Sequence, residues 1–303
     1  MQNTSQNDMT TLLVQDLLKE KRKDRFWKNI RFFCWFALIA ALIIYIFSQR
    51  LPTSIEGTGQ YVALVRLDGL IAPGRDISSD VVIPILREAF EDKNAKGILL
   101  DINSPGGTPV QASIIHDAII SFKKKYHKKV IVVGEDSLTS GAYYIAVAAD
   151  KIYVNPNTIT GSIGVIMKGF GFVDAIKKLG IERRVYTVGT SKDRLDPFLP
   201  QNEADLKKIE QVMEEVYQNF TQAVLNARKN KLHVEPATLF TGDFWSGQTA
   251  LKLGLVDNLG NMIDALQNEF QTEKYKEFGG QPAFLRLIGG QLSSMFDNVA
   301  YGA

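Results

Sequence analysis

From Tyr61 onward, short apolar runs alternate with stretches whose apolar residues recur every three or four positions. YVALVRLDGLI (residues 61–71) is rich in β-formers, and GILLDI (97–102) and KVIVVGE (129–135) are compact apolar runs with the composition of buried strands. Between them, VVIPILREAFED (81–92) has helical periodicity, with Pro84 expected in its first turn. PVQASIIHDAIISFKKK (109–125) reads as an amphipathic helix with Val110, Ile114, Ala118 and Phe122 on one stripe. Further along, a short helix from Ser140 precedes strands at KIYVNP (151–156) and SIGVIM (162–167). A helix at FVDAIKKLG (172–180) then leads to a strand at RRVYTV (183–188). A long polar helix (203–229) and a closing helical section follow. Strands joined through helices of this length require right-handed crossovers, so the pattern predicts an α/β body with a mainly parallel sheet.

Ahead of this body the pattern changes. FFCWFALIAALIIYIF (32–47) has no polar face, and at 1.5 Å per residue it spans about 24 Å. Ile30 adds apolar length, and Arg31 and Arg50 can snorkel, which brings the segment to the roughly 30 Å of a bilayer core. The flank KEKRKDRFWKNIR (19–31) is crowded with Lys and Arg, while LPTSIEGTGQYVALV (51–65) has neither. The positive-inside bias places residues 1–29 in the cytoplasm, a transmembrane anchor at 30–48, and the body on the far side of the membrane. Thirty mostly polar residues before the run, and no small-x-small site after it, argue against a cleaved signal peptide. A linker at 49–60, containing Pro52, Gly57 and Gly59, joins the anchor to a body expected over 61–270, followed by a tail at 271–303.

Charge and cysteine usage narrow the function. A net charge of +2 and the lack of an arginine-rich patch argue against nucleic acid as a partner. The single cysteine, Cys34, allows neither an intrachain disulfide nor a CxxC metal site, and an exported body without cysteine pairs suits a bacterial cell. The three histidines show no metal-ligand spacing, and neither GxGxxG nor GxxxxGK[ST] occurs, so no metal or cofactor is expected.

The stretch SLTSGAYY (137–144) puts Ser140 where a strand hands over to a helix. G-x-S-x-G fails there, with Leu138 and Ala142 in the glycine positions, and S-x-x-K fails at Tyr143. Ser140 therefore reads either as an N-cap or as a nucleophile. Among possible bases, His127 lies in the basic run SFKKKYHKK and His233 in the polar stretch KNKLHVEP. His116 lies off the apolar stripe of its helix and is expected at the surface. Lys192, in VGTSKDRLDPFLP, is either a loop surface lysine or a base that the fold must desolvate. INSPGGT (102–108) is either a tight turn or a loop whose backbone N–H groups approach a substrate carbonyl. TGSIGV (160–165) carries Ser162, a possible partner for a neutral lysine.

Four segments in this order, INSPGGT, LTSGAYYIAVAADKIYVNPNTITGSIGV, VGTSKDRLDPF and FTGDFWSGQTALKLGLVDNLG, resemble the signal peptide peptidase A family of membrane-bound serine proteases over roughly residues 60–270. The resemblance implies a Clp protease/crotonase-like fold and a serine–lysine dyad. It places the nucleophile on Ser140, the general base on Lys192, the lysine-orienting serine on Ser162, and the oxyanion loop on Gly106 and Gly107. The sequence departs from the family at Thr139, where relatives often have alanine, and at Ala142, where many have glycine. The resemblance also implies a homo-oligomeric ring whose active sites are shared between subunits, and peptide substrates such as remnant signal peptides and other extended apolar peptides. The fold alone would equally host a crotonase-like acyl-transforming enzyme, or an inactive ring-forming membrane scaffold.

Overall fold

The computed structural model describes residues 21–23, 25–42 and 59–279. It divides into two units, which are taken separately. In the first, residues 21–23 and 25–42 are helical, and large apolar side chains project on all sides of the helix, with Phe32, Phe33, Trp35, Phe36 and Leu38 all exposed. Among the described residues no helix is long and apolar enough to cross a membrane. Residues 43–48 of the expected span lie outside the described residues, as do most of the linker and the tail beyond 279.

The second unit is the α/β body. Its strands are β1 (Tyr61–Asp68), β2 (Ala95–Ser104), β3 (Lys129–Thr139), β4 (Lys151–Val154), β5 (Ile159–Gly161), β6 (Phe244–Ser246), β7 (Asn258–Leu259) and β8 (Tyr275–Phe278). Its helices are α1 (Ser79–Glu91), α2 (Pro109–Tyr126), α3 (Gly141–Ala146), α4 (Val173–Lys178), α5 (Glu203–Arg228), α6 (Pro236–Leu239), α7 (Gly247–Leu253) and α8 (Met262–Phe270). The sheet runs β6-β5-β3-β2-β1-β8, with β4 beside β3 and β7 beside β4. Every pairing is parallel except β5 with β6. This is the mainly parallel α/β architecture expected, consistent with a Clp protease-like fold.

Side-chain alternation sorts the sheet into two buried faces. Ala63, Val65, Leu67, Ile98, Leu100, Val130 and Val132 pack in one cluster with residues of α1, α2 and α3. On the other face, Val62, Leu64, Leu99, Ile131 and Val133 meet Ala265, Leu266 and Phe270 of α8. Gly97 admits this second layer, because a Cβ there would lie 2.1 Å from the Phe270 ring.

Several expectations are corrected. The buried stripe of α2 is Ala112, Ile115, His116 and Ile119, while Val110 and Ile114 are exposed. The helix is therefore rotated from the orientation its apolar spacing suggests, and His116 is buried rather than at the surface. Pro84 stands in the second turn of α1, because that helix begins at Ser79. Residues 162–167 form no strand; the strand lies just before, at β5. Residues 183–188 form none either, and Tyr186 and Val188 are 91% and 99% exposed. The body also continues past residue 270, since β8 pairs with β1 from Val62↔Tyr275 to Val65↔Phe278.

β3 governs the site. Its first half pairs with β4 and its last three residues pair with β5. Against β2 the register runs regularly to Ile102↔Gly134 and resumes at Ser104↔Leu138, so two steps on β2 face four on β3. This bulge would strand backbone carbonyls. The buried Thr158 hydroxyl takes them up, donating to Glu135 O at 2.6 Å with Gly134 O at 3.3 Å.

Candidate active site

Ser140 occupies the single residue between β3 and α3, with φ 53° and ψ −122°. A non-glycine residue there stores on the order of 1–3 kcal/mol of strain and persists only where its surroundings fix it. Here the Ser140 N–H donates to Gly161 O at 2.8 Å, and its carbonyl accepts from the Tyr144 N–H at 2.9 Å. The hydroxyl makes no capping bond to α3, so Ser140 holds the N-cap position without using its side chain as a cap. Strand, strained serine and helix together make an elbow of the shape that G-x-S-x-G motifs form, although that motif is absent. The small residues have moved to other positions. A Cβ on Gly106 would lie 2.7 Å from Ser140 Cβ and from Gly141 N, and one on Gly141 would lie 3.3 Å from Ala112 Cβ.

The loop after β2 lies against this elbow. Ile71 N–H donates to Gly106 O and Thr108 N–H donates to Ile71 O, so a parallel bridge pairs Ile71 with Gly107. In such a bridge one residue makes both flanking bonds, here Ile71, and the N–H of the other, Gly107, points away from it. Gly107 N–H therefore turns toward Gly141, whose Cβ position lies 3.3 Å from Gly107 N. Gly107 has φ 153° and a Cβ there would lie 1.9 Å from Ile71 O, so only glycine fits. Gly106 N–H is already engaged, donating to the buried Ser104 Oγ at 3.1 Å. Gly141 opens α3, so its N–H has no intrahelical acceptor. The two N–H groups facing the elbow are thus those of Gly107 and Gly141, and Gly106 contributes space.

Ser162 is brought to the same place by the pairing Thr139↔Gly161. Its φ is 51°, and its N–H donates to Asp243 O at 2.7 Å. Ser140 and Ser162 line one cavity of about 610 Å³, walled by Val165 and Ile166 and by Met213, Glu214 and Tyr217 of α5. The Tyr217 hydroxyl donates to Phe240 O at 2.5 Å. Burial, and then the nearby Glu214 carboxylate, push its ionisation up, so it stays neutral.

Two other candidates lie elsewhere. Lys192 sits in an exposed turn, its N–H donating to Gly189 O at 3.3 Å, and it does not line the Ser140 cavity. His116 lines a separate groove of about 880 Å³ between α2 and α5, with its Nδ1 2.8 Å from Asp117 Oδ1 and its ring 5.1 Å from that of Tyr144. Of the serine's possible partners, the single chain supplies Ser162 and the glycine loop.

The sequence matches Peptidase family S49 over residues 122–276, a stretch that includes Ser140, Ser162 and Lys192. The chain belongs to this family. It is 32% identical over 258 residues to a putative protease of Synechocystis, an alignment covering 80% of this chain and 88% of that protein. A putative signal peptide peptidase SppA of Enterococcus faecium is 33% identical over 189 residues, 62% of this chain and 54% of that one. A Brucella melitensis protein named Na(+)/H(+) antiporter NhaA is 40% identical over 227 residues, 73% of this chain. The chain covers only 31% of that protein's length, so its name describes far more than the matched part. The family is thus the signal peptide peptidase A family that the four segments resemble.

Sequence reasoning named Gly107 N–H with either Gly106 N–H or Gly141 N–H as its companion, and missed the engagement of Gly106 by Ser104 that decides between them. The spacing of Ser104 two residues before Gly106 was the available signal, since a serine hydroxyl accepts readily from an N–H two positions on.

Proposed function

We propose that this S49-family chain is a membrane-anchored serine endopeptidase that uses Ser140 as nucleophile and Lys192 of a neighbouring subunit as general base. The strained elbow at Ser140, facing the N–H groups of Gly107 and Gly141, carries this reading. Ser140 Oγ attacks a peptide carbonyl while neutral Lys192 Nζ takes its proton, and the developing oxyanion accepts from the two N–H groups. Each such donor contributes about 3 kcal/mol to the transition state. Lys192 then delivers the proton to the leaving amine, and water, activated by the same lysine, hydrolyses the acyl-enzyme. Ser162 hydrogen-bonds the lysine within the cavity it shares with Ser140.

A lysine serves as a base only when desolvated, and Lys192 is exposed in the single chain. Its own segment suggests what covers it. Between residues 166 and 195, Ile166, Phe170, Leu179, Tyr186, Val188 and Leu195 are each more than half exposed. An apolar arm of this kind marks a surface that another protein buries. Packing against a second copy in a ring would desolvate Lys192 and bring it to the neighbour's Ser140. The apolar helix through residue 42, followed in the sequence by the apolar residues 43–47, supports a single-pass anchor in the bacterial inner membrane with the body outside. There the enzyme would meet remnant signal peptides and other extended apolar peptides.

The test is hydrolysis of an apolar fluorogenic peptide, together with labelling by a serine-directed fluorophosphonate. Wild type should cleave and label, with activity rising through an apparent pKa below that of free lysine, while Ser140→Ala and Lys192→Ala lose at least about a thousandfold. Full activity in Lys192→Ala would overturn the dyad.

A further inference from the structure

The bulge in β3 carries a second arrangement, five residues before Ser140. Asp101 of β2 is 3% exposed. One of its carboxyl oxygens is held by Arg66 of β1, while the other, Oδ1, is buried with no donor. Asp101 and Glu135 both fall on the α8 face of the sheet, because Val133, two residues before Glu135, stands opposite Asp101. The remaining groups around Asp101 do not supply a donor to Oδ1. Arg66 also reaches Glu135 and, from β8, Glu277, each at 3.7 Å. Asp68 of β1 adds negative charge, and from α8 the uncharged Met262 sulfur lies 3.9 Å from Arg66 Nη2. One guanidinium thus reaches the carboxyl groups of Asp101, Glu135 and Glu277, and a buried carboxylate oxygen left without a donor is costly. A proton between Asp101 and Glu135 removes that cost.

We propose that Asp101 and Glu135 share one proton across the β2–β3 bulge, and that this pair is a positioning device for Ser140. The catalytic part of the proposal rests on Ser140 being the nucleophile. The backbone of the bulge is fastened at two further points: Glu135 O by the Thr158 hydroxyl, and Ser137 N–H by Asn103 Oδ1 at 3.2 Å. The shared proton ties the Glu135 side chain to β2 as well. Loss of that proton sets two carboxylates against each other on adjacent strands, loosens the bulge and releases the strained elbow that β3 delivers. The ionisation of Asp101 has the matching direction, being pushed up to about 7, first by burial and then by Glu135.

The experiment uses the full chain in detergent, comparing wild type with Asp101→Asn and Glu135→Gln, each of which supplies a permanent amide donor in place of the proton. Glu135 is partly exposed, so its variant keeps the test open if Asp101→Asn folds poorly. Melting temperature against pH reads the proton without catalysis. A carboxyl that ionises near 7 when folded and near 3.8 when unfolded binds an extra proton in the fold. Stability from this pair therefore falls as pH rises from about 4 to about 7 and is flat above that. Both variants should lose that component. The fluorophosphonate labelling rate reads positioning. The ratio of variant to wild type, in which the lysine's own titration cancels, should rise about threefold or more between about pH 6 and about pH 8.5. Melting curves with the same pH slope in wild type and both variants would overturn the shared proton. A lost slope with a flat labelling ratio would overturn the positioning role alone. Labelling that does not depend on Ser140 would overturn the protease reading, and the positioning role with it, leaving the melting curves to judge the proton.

Discussion

The two halves of the proposed dyad stand in opposite kinds of structure. Around Ser140, the strand before it and the helix after it are packed in the core, and its backbone angles are held by hydrogen bonds to Gly161 and Tyr144. Glycines at 106 and 107 let segments approach within a distance that a methyl group would block, and one on Gly141 would fit only tightly. Around Lys192, residues 181–192 form no helix or strand, and Tyr186 and Val188 are almost wholly exposed. The elbow of the proposed nucleophile is held within one chain, whereas the proposed base is exposed. Catalytic groups need fixed geometry, so on the proposed reading the second half would acquire its order from a neighbouring subunit.

The sharpest way to break this contrast is at Gly107. Alanine there would drive a methyl into Ile71 O, and the oxyanion loop would move. Peptide hydrolysis should fall by about 100-fold to 1,000-fold, with kcat affected more than KM. A fall confined to KM would remove Gly107 from the oxyanion site. The base half should respond in a different way. Tyr186→Ser with Val188→Ser removes apolar surface that the single chain leaves in water, so the melting temperature of the isolated body should be unchanged. Assembly, followed by light scattering, and activity should fall together, activity by about tenfold or more. Normal activity from a monomeric double variant would contradict a shared site.

The smallest expected effect concerns the stability of the nucleophile half. Glu269 fastens α8 over the sheet through Lys151 at 2.8 Å, Tyr153 at 2.6 Å and Lys129. Burial opposes its ionisation, but these donors outweigh it and hold the carboxyl down at about 2. A depressed carboxyl contributes stability that is full above its unfolded value and is lost as pH falls through the folded one. The melting temperature should therefore drop between about pH 4.5 and about pH 2, with a shallower drop in Glu269→Gln. Equal slopes would show that this network contributes nothing.

Much of this was legible in the chain. The central strands are continuous apolar runs because both their faces are buried, and β1, β2 and β3 begin at or within two residues of where the runs place them. The misread elements are those whose state is set by distant partners. RRVYTV has the composition of a strand but pairs with none of the described strands, and YKEF of β8 gives little signal because it sits at the edge beside β1. The α2 stripe was misjudged because its exposed face also carries Val110 and Ile114, which left His116 on the wrong side. The elbow escaped the motif because glycines distant in sequence supply the room that G-x-S-x-G supplies locally. Family resemblance named Ser140 and Lys192, but only the fold shows how differently the two are held.

The most direct test mixes two inactive chains. Ser140→Ala keeps the lysine and Lys192→Ala keeps the serine, and each alone should be inactive. If every site takes its serine from one subunit and its lysine from the next, random co-assembly restores both groups to about one site in four. Dissociating and reassembling the two variants together should then recover about a quarter of wild-type peptide hydrolysis. No recovery from assemblies shown to contain both chains would place serine and lysine in the same subunit, and would contradict the division of the site described above.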